Sequence, residues 1–251
     1  MSKFYISTID PQAQQVAEKY GFGLEIAEFC TAWNMDEELE QTDRSLRQKI
    51  EKIPDRVLHA PFNELFPCAI DRKARALAAE RYMQAVELAQ NYGATKVVVH
   101  GGYHPMIYYR QWYVEQSVVF WNEFLQANPN ANIVLENVLE KEPEWLLDIV
   151  RTVNDPRLRI CLDIGHVNAY SAVPVMQWLE TLAPYLSHFH IHNNDGSWDT
   201  HSALDQGSIP MRTFLNEAQR LCPEATFTLE LADSTSSVEW LLEESIWNWK
   251  K

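Results

Sequence analysis

Three histidines at alternate positions, His188, His190 and His192, fall in the run from Ser187 to Asp195, and an Asp-x-His pair, Asp199 and His201, follows closely. In an extended strand alternate side chains share a face, so the three imidazoles point the same way. Imidazole is the commonest metal-ligating side chain and carboxylates complete such sites, so the run is read first as part of a metal centre. Taken alone it reads equally well as a polar strand leading into a solvated loop. What the other elements bring to the same place decides between the two.

Short apolar runs alternate with longer helical patterns from end to end. Eight candidate strands cover Phe4–Ser7, Gly23–Phe29, Arg56–Phe62, Lys96–His100, Asn132–Asn137, Arg159–His166, the histidine run itself, and Thr226–Leu231. Helical patterns fill the gaps: one after Asp10-Pro11, one within Asp36–Lys52, one from Asp71 to Asn91 closed by Gly93, and a last one around Val238–Trp249. Eight such units in 251 residues are what a (β/α)8 TIM barrel requires. The strands are continuously apolar, as expected of a sheet covered by helices. A doubly wound open sheet would want an early Gly-rich phosphate turn, which this chain lacks. With no linker or internal boundary, the expectation is a single-domain (β/α)8 barrel over residues 1–251.

On these elements the residues of ligand type fall together. His59 and His100 end the third and fourth strands, and Glu136 ends the fifth. Asp163 and His166 end the sixth, His192 the seventh and Glu230 the eighth, with Asp199 and His201 in the loop after the seventh. All lie at the C-terminal face, where barrel active sites are built. Carboxylates gathered there repel one another and call for a cation. His188 and His190 lie deeper along their strand and are expected to be interior polar residues that orient ligands; Glu25 or Glu28 is a further candidate support. Trp33 and Trp198 are placed on the rim, where an aromatic face stacks against a sugar ring.

Composition narrows the partners. With 21 Lys and Arg against 35 Asp and Glu, the formal net charge is -14, which repels nucleic acid and anionic membranes. On the rim loops Asp36, Glu37, Glu64, Glu140 and Asp195 stand against Arg72, Arg110 and Lys141. Cys30, Cys68, Cys161 and Cys222 are far apart and form no Cys-x-x-Cys, so they are expected to be core thiols of a reducing compartment. The first residues carry no signal-type apolar stretch and no run is long enough to span a bilayer. A cytoplasmic protein with no membrane partner is expected.

Several stretches resemble the xylose-isomerase-like barrel superfamily, which comprises sugar isomerases and epimerases, inosose-type dehydratases and the AP endonuclease family 2 enzymes. They are His59-Ala-Pro, His100-Gly-Gly, Leu135-Glu-Asn137, Cys161-Leu-Asp-Ile-Gly-His166, His190-Ile-His-Asn-Asn-Asp195, Asp199-x-His201 with Gly207, and Leu229-Glu230. The resemblance implies that Glu136, Asp163, His192 and Glu230 hold one divalent metal, with Glu136 and Glu230 also acting as acid and base. His166 would then contact substrate oxygens. In the endonuclease branch the same positions bind three zinc ions: His59, His100 and Glu136 the first, Glu136, Asp163, His192 and Glu230 the second, His166, Asp199 and His201 the third. That branch carries His-Pro-Gly and Asp-Arg-His where this chain has His100-Gly-Gly and Asp199-Thr-His201. The missing arginine removes a phosphate contact. The expected function is a metal-dependent isomerase or epimerase of a small carbohydrate-like substrate, using one to three Mn, Mg, Co or Zn ions. A zinc-dependent AP endonuclease or phosphoesterase, or a dehydratase, is the alternative.

Overall fold

A computed structural model describes residues 3–246. Eight parallel strands close into a barrel in sequence order: β1 Phe4–Ser7, β2 Gly23–Ile26, β3 Arg56–His59, β4 Val97–His100, β5 Ile133–Glu136, β6 Leu158–Asp163, β7 Leu186–Ile191 and β8 Thr226–Leu229, with β8 pairing back on β1. Around it lie α1 Ala13–Tyr20, α2 Leu39–Ile50, α3 Arg72–Asn91, α4 Arg110–Ala127, α5 Glu144–Val153, α6 Ile164–Tyr170, α7 Val175–Leu182, α8 Met211–Leu221 and α9 Thr235–Glu243. This is the expected (β/α)8 TIM barrel.

The strands' outward residues, such as Leu24, Leu58, Ile160, Phe189 and Phe227, pack on the helices in one large apolar core. Inward, Tyr5, Val57, Val98, Val134 and Cys161 form a separate small cluster at the barrel floor. Above that floor the interior turns polar, which is where the site lies. The ends of the helices follow local chemistry. Asp71 caps α3 by accepting the Lys73 amide, and Gly93, at φ 67°, supplies the left-handed turn that follows α3.

Several expected boundaries shift, among them strand three, which stops at His59 rather than Phe62, and strand eight, which stops at Leu229 rather than Leu231. Strand two stops at Ile26 rather than Phe29. Strand six stops at Asp163 rather than His166, because the Asp163 side chain accepts the His166 amide at 2.7 Å and so starts α6. The last helix begins earlier, at Thr235, and the expected end at Trp249 lies outside the described residues. Among the described residues no helix is long and apolar enough to cross a membrane. The four cysteines are free thiols.

The pairing of β6 with β7 contains a step. Ile160 pairs with Leu186, but the next residue, Cys161, pairs with His188, so Ser187 is an extra residue on β7. Beyond the step His188 and His190 face the barrel interior, while Phe189 and Ile191 join the helix-facing core.

Candidate metal centre

Four neighbouring strands bring Glu136, Asp163, His190 and Glu230 together, with one ligand atom from each lying within 4.8 Å of all the others. His190 Nδ1 stands 3.3 Å from Glu136 Oε1, 3.2 Å from Glu230 Oε2 and 3.7 Å from Asp163 Oδ2. In this group strand seven is represented by His190, where the expectation named His192 and took His190 as an interior residue. Register is the reason: His190 pairs with Asp163 on one side and Thr228 on the other, at the level of the carboxylates. His192 lies past the end of β7. Its Nε2 is 3.1 Å from Asp163 Oδ2, and its ring stacks on His201 at 3.9 Å. It falls in a different group, with His201 and Glu230.

Two further clusters flank this one. His59 Nε2 and His100 Nε2 lie 3.3 and 3.4 Å from Glu136 Oε2. On the other side His166 Nε2 and His201 Nε2 lie 3.3 and 3.0 Å from Asp199 Oδ2. The far nitrogens of three of these rings are pinned to backbone. His59 Nδ1 donates to the Ala60 carbonyl at 2.8 Å, His166 Nδ1 to that of Asn137 at 2.9 Å, and His201 Nδ1 to that of Glu230 at 2.8 Å. A carbonyl only accepts, so each Nδ1 carries a proton while Nε2 faces a carboxylate, the arrangement typical of metal-ligating histidines. His201 also sits in the left-handed region, at φ 47°, a conformation costing about 1 kcal/mol that persists where the surroundings impose it.

The donor set fits a divalent cation. Glu136 Oε2, His190 Nδ1 and His192 Nδ1 are buried without a hydrogen-bond partner, a costly arrangement that a cation relieves. Mixed carboxylate and imidazole donors suit Mn, Mg, Co and Zn. The electrostatics agree. Burial would raise the Glu136 and Glu230 carboxyls, but the charge on His190 overrides it, holding Glu136 well below the carboxylate range and Glu230 at about 2. Burial likewise opposes a charge on His166 and His201. Asp163 and Asp199 raise His166 to about 10, and Asp199 and Glu230 raise His201 to about 9. For His100 burial wins and lowers it to about 4. Protons thus stand in for positive charge between ionised carboxylates, and cation binding would release them.

Asparagines that carried no expectation of a role hold this frame. Asn137 grips Asp163 through both of its backbone polar groups, at 2.9 Å each. Asn193 Oδ1 accepts the amides of Asn194 and Ile209, and Asn194 Nδ2 donates to the Gly165 carbonyl. The hints in sequence were the Asn193-Asn194 pair directly after the histidine run and Asn137 in the stretch Leu135-Glu-Asn137. Gly207 backs on to the Asn193 side chain, where a Cβ has no room. Glu140, expected as a rim charge, is buried instead. It accepts from Tyr113 Oη at 2.6 Å and the Val138 amide at 2.7 Å, and burial raises its carboxyl. On the rim Trp33 and Trp198 are 57% and 65% exposed. Trp198 meets Tyr170 edge-on, and Tyr170 stacks over His166.

Residues 15–247 match the family described as xylose isomerase-like TIM barrel. The chain belongs to this family. It is 30% identical over 205 residues to an uncharacterised protein of Methanocaldococcus jannaschii, covering 74% of this chain and 69% of that one. It is 24% identical to a probable endonuclease 4 of Ureaplasma parvum, covering 71% and 65%. Among solved structures, a D-tagatose 3-epimerase-like protein superposes with a TM-score of 0.77 at 25% identity over 97% of both chains. A Thermus thermophilus protein soaked with ZnCl2 superposes with a TM-score of 0.79 at 23% identity, over 97% of this chain and 98% of that one. Proteins similar to this chain thus include an epimerase-like protein and a probable endonuclease, and the barrel is shared with the two solved structures over 97% of this chain.

Proposed function

We propose that this protein is a divalent-metal-dependent isomerase or epimerase acting on a small sugar- or polyol-type substrate. The observation that carries the reading is that Glu136 and Glu230 share one buried ligand group with Asp163 and His190. Those four residues would hold the ion, which when bound polarises a carbonyl and its neighbouring hydroxyl and so acidifies the adjacent C–H. One of the two glutamates removes that proton and the other returns a proton to the substrate. Glu136 is steadied from the side by His59 and His100, and Glu230 Oε2 by His190. His166, its Nδ1 proton committed to the Asn137 carbonyl, offers Nε2 to a substrate hydroxyl. Phe62, stacked on His100 at 4.5 Å, joins Trp33 and Trp198 in giving the mouth an aromatic lining that suits the C–H face of a sugar. The likeness to a D-tagatose 3-epimerase-like protein supports the same reading.

A second reading, zinc-dependent phosphoester hydrolysis, is favoured by the two flanking clusters, each of histidines around a carboxylate. A net charge of -14 and the lack of an arginine between Asp199 and His201 stand against a DNA substrate. Dehydration shares the proton-abstraction half and differs in the leaving group.

The test is solvent deuterium exchange into ketohexoses and polyol-derived ketones, followed by NMR, alongside metal content of the dialysed protein. We expect exchange that Glu136→Gln and Glu230→Gln each abolish, with unchanged circular dichroism. Incision of abasic-site DNA at physiological salt, with two or three zinc ions per chain and no sugar exchange, would overturn the reading.

A further inference from the structure

A line of buried polar side chains runs down the barrel interior beneath the candidate ligands. Lys96 Nζ donates to the Ser187 carbonyl at 2.5 Å and to Thr226 Oγ1 at 2.9 Å. Thr226 Oγ1 lies 2.6 Å from His188 Nδ1, and His188 Nε2 lies 3.0 Å from Glu25 Oε2. Thr228 donates to the same Glu25 oxygen at 2.6 Å. The other oxygen, Oε1, is 2.9 Å from His190 Nε2, an ion-pair approach, and neither of these two atoms has a hydrogen-bond partner. Glu25, His188, His190 and Thr228 are fully buried, and Lys96 is 8% exposed.

The polarity of this line is set by its members. An ammonium only donates and an ionised carboxylate only accepts. Glu25 therefore requires a proton on Nε2 of both rings it touches. Lys96 occupies a lone pair of the Thr226 hydroxyl, whose own proton is then free for His188 Nδ1. His59, His166 and His201 are pinned by backbone carbonyls, but His190, in mid-strand, has no such carbonyl partner, and Glu25 stands in that place.

We propose that Glu25, supported from below by His188, Thr226 and Lys96, is a positioning residue that holds a proton on His190 Nε2, so that Nδ1, facing Glu136, Asp163 and Glu230, is the nitrogen whose proton a cation would displace. The inference rests on the metal-centre reading for its purpose, though not for its proton geometry. Glu25 of strand two is not one of the four ligands proposed above, although it also groups with His59 and His190, and this gives the buried glutamate a function.

Glu25→Gln replaces one oxygen with an NH2 group. Whichever way the amide turns, it sets N–H against N–H at one of the two rings. Zinc affinity, measured by competition with a chromophoric chelator, should fall about 10–100-fold, the scale seen when a partner of a metal ligand is removed. Thr226→Val should also weaken binding, and Thr226→Ser should restore it, a difference that general loosening of the core does not produce. In the metal-free protein, long-range 15N–1H NMR should show the His190 Nε2 proton as a protected downfield resonance that Glu25→Gln abolishes. An unprotonated Nε2 in the wild type, or undiminished zinc affinity in Glu25→Gln, would overturn the proposal. A wild-type chain that binds no zinc would instead refute the metal reading, and the NMR spectrum would still decide where the proton sits.

Discussion

At the scale of single residues the histidine ladder of β7 shows how one side chain differs from the next. Three imidazoles on one face were legible from alternation alone. Which one stands level with Asp163 was not, because that depends on barrel stagger and on the extra residue at Ser187, neither of which leaves a hydrophobic signature. The consequence is measurable. His190→Ala removes a proposed ligand and should abolish zinc binding at micromolar metal, whereas His192→Ala removes a partner of Asp163 and should cost about 10–100-fold. Isothermal titration of both variants checks this, and a more damaging His192 substitution would make His192 the ligand after all. Lys96 offers a second test. Burial lowers its ammonium to about 8, below the ordinary 10.5 that it regains in the unfolded chain. Between those values the unfolded chain holds a proton that the folded one has shed, so stability rises with pH across that window. The gain is roughly 2–3 kcal/mol at about 1.4 kcal/mol per unit. Urea unfolding of wild type and Lys96→Met at pH 7.5 and 10 should show the rise in the former and lose it in the latter.

At the scale of elements, the short helix α6 carries the site further than its seven residues suggest. Asp163 is at once a candidate ligand and the N-cap that starts the helix, and the turn it starts delivers His166. The sequence shows Asp-x-x-His, yet an apolar reading runs the strand through it; the cap wins because a carboxylate facing free amides is worth about 1 kcal/mol. Gly165, at the second helical position, has the His192 ring against its Cα, so that a Cβ would overlap the ring. Helix propensity alone would make Gly165→Ala stabilising by about 1 kcal/mol. Overpacking reverses the sign, and we expect a loss of about 1–3 kcal/mol in urea unfolding together with weaker zinc binding. A stabilised variant would show that His192 moves freely. The loop after β7 was opaque in sequence because its order comes from Asn193 and Asn194 amides bonding to backbone, which no periodicity reports.

At the scale of the whole molecule, the barrel itself was the most legible feature. Eight apolar runs, each followed by a helical pattern, leave little choice once the chain is long enough to close. The rim was least legible: Glu140 looks like a solvated charge until the fold seals it against Tyr113. Because the four proposed ligands come from β5 to β8 and span residues 136 to 230, a cation would tie distant parts of the sequence together. At free metal a hundred times its Kd, stability should rise by about 2.7 kcal/mol, which is roughly 5–10 °C in Tm for a chain of this size. Scanning calorimetry with zinc or manganese and with chelator checks it; an unchanged Tm would argue against a bound ion. The step at Ser187 has a sharper consequence. It makes β7 a strand of two parities, its lower end facing one way and its upper end the other. Keeping that one residue in the ladder, with Ser187 opposite Cys161, would turn the upper half inside out, aiming His188 and His190 at the helices and Phe189 and Ile191 into the barrel. A β7 without the step would give an oily lumen in place of a polar one, so the chemistry of this protein is set by a phase as much as by a list of residues.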